Sequence, residues 1–290
     1  MMVKEIGIIL AILKKLLIGK VRGEKMRGEF FIKKSLANFL LWVGGGLLVL
    51  SLGGELLVGS TVNPARVKSV DDVLFRAQTV DPNFFNLSEE KKLLILFDIL
   101  TKRFSHCLAD RHTVATNWIL WGLGFVHPVL GVTWAPDYWL KKAECLECSQ
   151  ISYLLMMVAI KSGVVVRHVG LMGHVVMEAW YEGEWHMFDP DVGVIPRHNG
   201  KVLSVRSLAY REELIKKFYR GSKEETGMTI LSRENNSFVS YPVGAYFEWK
   251  SQMMFYVEKI LEIVKYVLPL AMIVAGIILK RRGNVPKVSS

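Results

Sequence analysis

Two apolar runs set the limits on what this chain can fold into. The first, Leu36 to Leu52, reads LANFLLWVGGGLLVLSL and holds no charge; continued to Val58 it admits one acid, Glu55. The second, Ile263 to Leu279, reads IVKYVLPLAMIVAGIIL and holds one base, Lys265. About 20 helical residues cross a hydrocarbon core, so residues 36–58 and 263–279 are expected as transmembrane helices. Gly44, Gly45 and Gly46 weaken a helix in water but let helices pack closely in lipid. Lys265 is expected to snorkel outward and Tyr266 to anchor at the interface. Pro269 is expected near the start of its helix, where a missing N–H costs least.

The distribution of charge gives an orientation. The net charge of the 290 residues is +10. Residues 1–35 hold nine Lys/Arg against three Glu, and residues 280–290 hold Lys280, Arg281, Arg282 and Lys287. The remaining 24 bases and 24 acids cancel, so the middle of the chain is neutral. Basic flanks outside both runs place both termini in the cytoplasm. Residues 59–262 are then expected on the opposite side, periplasmic or extracellular. No nucleic-acid partner is expected, because the bases form no face; the lipid bilayer is the expected partner. A 35-residue basic leader with no good A-x-A site does not suit a cleaved signal peptide. Residues 2–19 are apolar nearly all round the helix, and either lie in the membrane interface or cross as a short third span.

The outward segment reads as α+β. A connector with a short helix is expected over Arg66–Asp81. Asn86 or Ser88 can cap a helix carrying Leu93, Leu94, Phe97 and Leu100 at three-and-four spacing. Residues 105–142 are rich in Trp, with Trp118, Trp121, Trp134 and Trp139; packing is their default role, and lining a substrate site the alternative. A helix is expected from Cys148 to Ile160, ended by Gly163. A strand over Val164–Val169 follows, then a hairpin of His174–Tyr181 and Glu184–Phe188 turning at Glu182-Gly183. Residues 209–219 and 245–262 look helical, the latter either ending before the second span or running on into it; residues 221–237 are polar and read as an exposed loop. Helix followed by antiparallel strands defines the class.

The chemistry-bearing residues fall in one order. A thiol nucleophile needs a helix N-terminus or a cation to favour thiolate, a histidine to hold the proton, and a carboxylate to orient that histidine. Cys148 starts a helix, His174 starts a strand and Asp189 ends the neighbouring strand. Adjacent antiparallel strands can bring His174 and Asp189 side by side. Asp191 is the nearest rival to Asp189. The other histidines, His106, His112, His127, His168, His186 and His198, have no such context and read as structural or exposed.

At these residues the chain resembles the transglutaminase-like superfamily of papain-type cysteine enzymes, over Glu144 to Val192. The family core has a Cys opening a helix, then G-I-P-A-R, H-A-W-x-E and W-x-x-x-D-P. Here Cys148 is followed by Gly163-Val164-Val165-Val166-Arg167, His174-Val175-Val176-Met177-Glu178 and Trp185-His186-Met187-Phe188-Asp189-Pro190. The resemblance implies a papain-like core, with Cys148 attacking an amide or ester carbonyl, His174 as general base and acid, and Asp189 orienting it. It implies an oxyanion donor at the Cys148 backbone N–H and a second one upstream, with Tyr138 and Trp139 as candidates. Arg167 and Glu178 read as a structural ion pair and Trp185 as packing. The chain departs from the pattern at Leu146, Val165, Val176 and Asp191, which bears on substrate shape.

Three cysteines exclude a disulfide scaffold. Cys145 and Cys148 form a C-x-x-C, but no thioredoxin context or further zinc ligands accompany it. Cys145 can pair with Cys148 or with Cys107; a free thiol at Cys148 is the expectation. No metal or nucleotide motif is present, so no cofactor is expected. The sequons at Asn86 and Asn235 carry no weight. The expected function is therefore a membrane-anchored cysteine hydrolase or acyltransferase acting on peptides, lipid-linked precursors or envelope material. The alternative is a non-catalytic subunit or scaffold that docks a membrane-protein partner.

Overall fold

The computed structural model describes residues 25–57, 67–231, 233, 236–241 and 249–283. The segment 2–19, the rest of the leader to 24, the tail from 284 and Asn235 lie outside these residues. The chain divides into two compact units, residues 50–265 and a second formed by residues to 49 and from 266.

Helices start where a short polar side chain can take a free backbone N–H. Ser69 caps α2 (Val70–Val80), its side chain accepting from Asp72 N. Thr113 and Thr116 form a reciprocal box at the start of α4 (Val114–Leu123). Chain order runs α1 (Lys25–Leu57), α2, α3 (Glu89–Arg103), β1 (Ser105–His106), α4, α5 (Pro136–Lys142), β2 (Cys145–Leu146), α6 (Cys148–Lys161). It continues through β3 (Val165–Gly170), β4 (Val175–Tyr181), β5 (Glu184–Phe188), β6 (Arg197–His198), β7 (Lys201–Val202), α7 (Val205–Leu208), α8 (Glu212–Phe218), α9 (Glu224–Met228), β8 (Ser237–Tyr241) and α10 (Trp249–Gly283).

The larger unit is α+β. Its main sheet has the order β5-β4-β3-β8, with every neighbouring pair antiparallel. The β4–β5 hairpin turns at Glu182 and Gly183, both with positive φ, 51° and 79°. Two successive left-handed residues are what a tight twisted hairpin requires. On one face, Leu154, Leu155, Val158 and Ala159 of α6 share a core with Val166, Ala179, Phe188 and the α3 residues Leu93, Phe97 and Leu100. On the other face, Val169, Val176 and Met187 pack against Val205, Leu208, Ile215, Tyr219 and Ile230. Burial on both faces explains why β4 is apolar almost continuously rather than alternately. Each fully buried Leu, Val or Phe contributes about 1.5–3 kcal/mol.

The segment 221–237 differs from the exposed loop expected of it. It folds into helical turns including α9, buries Ile230 completely and ends in β8, which pairs with β3. Its apolar residues are too few to show a period, and only the sheet edge supplies their partner.

Arg167 and Glu178 face each other across β3 and β4, 2.5 Å apart and both buried. Glu178 also accepts from Val205 N at 2.7 Å, at the start of α7. The Arg167 guanidinium lies over the Trp185 ring, 4.2 Å from its centroid. These residues hold the sheet to the layer behind it.

α1 and α10 are each long and apolar enough to cross a membrane, over Lys33–Leu56 and Met253–Arg281. From Trp249 onward, the helix expected over 245–262 and the second run form the single helix α10, so Pro269 is internal rather than near its start; residues 245–248 lie outside the described ones. The carbonyl of Lys265 would have been the partner of the missing Pro269 N–H. The Ser51 hydroxyl donates to that carbonyl at 3.0 Å instead. Lys265 does not snorkel. Its ammonium is buried and meets Glu262 Oε2 at 2.7 Å, Thr116 O at 2.8 Å and Glu55 Oε1 at 2.9 Å. Three acceptors saturate its three donors, which removes the reason to reach for water.

In the smaller unit, a Cβ on Gly44 would lie 2.8 Å from the Pro269 carbonyl, and one on Gly276 2.9 Å from that of Ala37. Glycine at these two positions permits close helix packing. Gly45 and Gly46 have open space around them.

Candidate active site

Cys148 is the first residue of α6, where backbone N–H groups lack an intrahelical acceptor. It is half-buried and free, because Cys145 is bonded to Cys107. The C-x-x-C is thus split between a disulfide and a thiol. The pairing follows from β1 and β2, which run parallel with Ser105 opposite Cys145 and His106 opposite Leu146.

His174 closes the turn between β3 and β4. Gly173 supplies the positive φ of 86°, and Leu171 N donates to His174 O at 2.8 Å. Asp189 follows β5 and is fully buried. The two side chains meet with His174 Nε2 2.9 Å from Asp189 Oδ2. The thiol of Cys148 stands near enough to the same ring to bear on its pKa. With Nε2 committed to Asp189, Nδ1 is the nitrogen left for sulfur. Burial disfavours a charged His174, but its interactions with Asp189 and Cys148 outweigh this and lift its pKa from 6.5 to about 10. The ring therefore holds its proton at neutral pH. The cationic ring then has one N–H toward Asp189 and its other N–H left for sulfur, a charge that favours thiolate.

Four further residues complete the surroundings. The hydroxyl of Tyr219 donates to Asp189 Oδ2 at 2.8 Å, and Val192 N donates to Asp189 Oδ1 at 3.4 Å. Asp191 Oδ2 lies 4.0 Å from His174 Nδ1, while its Oδ1 bonds His106 Nδ1 at 2.8 Å. His106 is mostly solvent-exposed. It lines a cavity of about 620 Å³ together with Asp191, Gly193, Lys223 and Thr226. Burial raises the pKa of Asp191, against the pull of His106. Tyr219 carries no signal in the sequence. His106, grouped above with the histidines lacking context, is brought to the site by β1.

Neither expected upstream oxyanion donor is in place. Trp139 Nε1 donates to Thr133 Oγ1 at 2.7 Å, buried against Tyr153. Tyr138 bonds Thr116, and burial raises its pKa. Both side chains are spent on a polar cluster behind α6. None of Trp118, Trp121, Trp134 and Trp139 lines the cavity beside Asp191. In that cluster, the Gln150 amide donates to Thr133 O and Asp110 O, each at 3.2 Å, and accepts from Asp110 N at 2.9 Å. His112 is also buried there, its pKa lowered to about 4 by burial and by the charge of Lys265. It is neutral, and its Nε2 lies 3.5 Å from Glu258 Oε1.

No protein-family model matches this chain, and no curated protein or solved structure matches it. The site stands on its own geometry.

Proposed function

We propose that this chain is a membrane-anchored cysteine enzyme with a transglutaminase-like core. The observation that carries the reading is the His174 ring, held at Nε2 by Asp189 at 2.9 Å, with the free Cys148 at the helix start close enough to raise its pKa. A Cys-His-Asp relay in that order on a helix start, a strand start and a strand end is what acyl transfer through sulfur needs.

The Cys148 thiolate adds to an amide or ester carbonyl, forming a C–S bond. The oxyanion takes up the backbone N–H at the helix start. The C–N or C–O bond breaks as His174 gives its proton to the leaving amine or alcohol. Water or an amine, giving its proton back to His174, then attacks the thioester and frees Cys148. Asp189 keeps the ring oriented throughout and does not itself accept the proton. The cavity beside Asp191 offers room for a substrate group.

Membrane anchoring through α1 and α10 fits their length and composition. Exposure of residues 59–262 to an oxidising compartment fits the Cys107–Cys145 disulfide, since such bonds persist outside the cytosol. Peptides, lipid-linked precursors and envelope material are the substrates this placement favours.

The test is labelling of the purified, detergent-solubilised protein with iodoacetamide. Fast labelling at neutral pH is expected in the wild type. It should disappear in Cys148→Ser and slow by at least about tenfold in His174→Ala, as for removal of a partner that favours thiolate. A rate unaffected by His174→Ala would favour the alternative of a non-catalytic membrane subunit.

A further inference from the structure

The residues Thr113 to Ala135 read TVATNWILWGLGFVHPVLGVTWA and contain no Asp, Glu, Lys or Arg over 23 positions. They belong to neither apolar run. They fold as α4, a reversal, and a 3₁₀ turn over Pro128–Gly131. The hairpin is tight because Gly124 and Gly131 face each other; a Cβ on either would lie 3.0 Å from the other's Cα.

Its apolar tip is not folded into the core. Phe125 is 75% exposed, Val126 76% and Trp121 42%. The backbone N–H groups at the tip are nevertheless satisfied internally. Gly124 N and His127 N donate to Leu120 O and Leu123 O, Val126 N also to Leu123 O, and Leu130 N to His127 O. The His127 side chain accepts from Val129 N at 3.3 Å. An apolar loop whose N–H donors are closed internally meets the donor half of the condition for entering lipid.

The stem of the hairpin is tied to the apolar helices themselves. Lys265 Nζ donates to Thr116 O at 2.8 Å, Asn117 Nδ2 to Glu262 Oε1 at 2.9 Å, and Trp118 Nε1 to Ser51 Oγ at 3.2 Å. Ser51 lies inside the apolar window Lys33–Leu56, and Glu262 and Lys265 lie inside Met253–Arg281. Gly54 faces the Ala115 carbonyl so closely that a Cβ there would sit 1.7 Å from its oxygen. Contact at these levels puts α4 beside segments that the membrane reading assigns to the bilayer.

The geometry points to a third membrane element: residues 114–132 dip into the outer leaflet as a re-entrant hairpin, with Trp121, Phe125 and Val126 among the acyl chains. This rests on the proposed membrane anchoring. It adds a lipid contact to the two helices and leaves the topology of the ends unchanged, since the hairpin enters and leaves on one side.

The experiment uses the full chain with Cys148→Ser, so that an introduced cysteine is the one free thiol. Phe125→Cys, and separately Val126→Cys, carries an environment-sensitive nitrobenzoxadiazole label in phosphatidylcholine–phosphatidylglycerol vesicles. A label at Val274→Cys, inside the second apolar window, serves as the reference. Blue-shifted emission at 125 and 126, quenched by spin-labelled acyl chains but not by aqueous iodide, is the expected result. Water-like emission at both, quenched by iodide while the Val274 label reads lipid, overturns the hairpin and leaves the anchoring intact. Water-like emission at all three positions overturns the anchoring and the hairpin with it.

Discussion

The phenolic oxygen of Tyr219 lies 2.8 Å from Asp189 Oδ2, the same oxygen that faces His174 Nε2 at 2.9 Å. Asp189 is thus fixed by a neutral donor on one side while it holds a cationic ring on the other. Tyr219→Phe removes only that donor. A net loss of about 1 kcal/mol in stability is expected. Iodoacetamide labelling of Cys148 should slow by a few-fold, well short of the His174→Ala effect. Denaturant titration and labelling rates on the same samples check both numbers.

The protonation of His174 links pH to stability. Its pKa is about 10 in the folded protein against an ordinary 6.5. The folded state therefore binds this proton more tightly than the unfolded chain does. The stabilisation is fully present below about pH 6.5 and is lost as pH rises through about 10. Unfolding midpoints followed from pH 6 to above 10 should show this loss in the wild type. In Cys148→Ser, without the sulfur partner, the loss should finish at lower pH.

Glu178→Ala strands the buried Arg167 guanidinium and frees Val205 N together. Breaking a buried pair from one side costs about 3–5 kcal/mol. Replacing both residues by apolar ones of similar volume, Arg167→Met with Glu178→Leu, should cost less than Glu178→Ala alone. Thermal unfolding of the three proteins in one detergent measures the difference.

Ser51 and Pro269 should be coupled through a carbonyl. Ser51→Ala leaves Lys265 O without its donor, at a cost of about 1 kcal/mol or more. Pro269→Ala restores a backbone N–H able to reach that carbonyl. In the Pro269→Ala background, Ser51→Ala should therefore cost less, and a double-mutant cycle reads the coupling.

Much of this was legible in the residues, and the exceptions have physical causes. The helix at Cys148, the strand after Gly163 and the hairpin at Glu182-Gly183 follow from period and turn chemistry. Their order places His174 beside Asp189, since strands that follow one another pair. Tyr219 could not be read, because it reaches Asp189 across thirty positions from a short helix end. The role of His106 depends on a two-residue strand too short to leave a pattern. Lys265 has the sequence context of a snorkelling cation, because Glu55 and Glu262 converge on it only in the fold. Trp139 and Tyr138 precede the nucleophile, as an upstream donor should. Only the fold shows that their polar atoms turn to Thr133 and Thr116.

The bond between Cys107 and Cys145 joins residues 38 apart in the chain. Everything between them, α4 and its exposed tip included, is a covalent ring. A protease that cuts after Leu108, which is 89% exposed and lies outside the hairpin, would open this ring without dividing the molecule. The nicked chain would migrate as one species on a non-reducing gel and as two fragments after dithiothreitol. Leu108 is thus a place where cleavage leaves Cys148 joined to both apolar helices for as long as its surroundings stay oxidising.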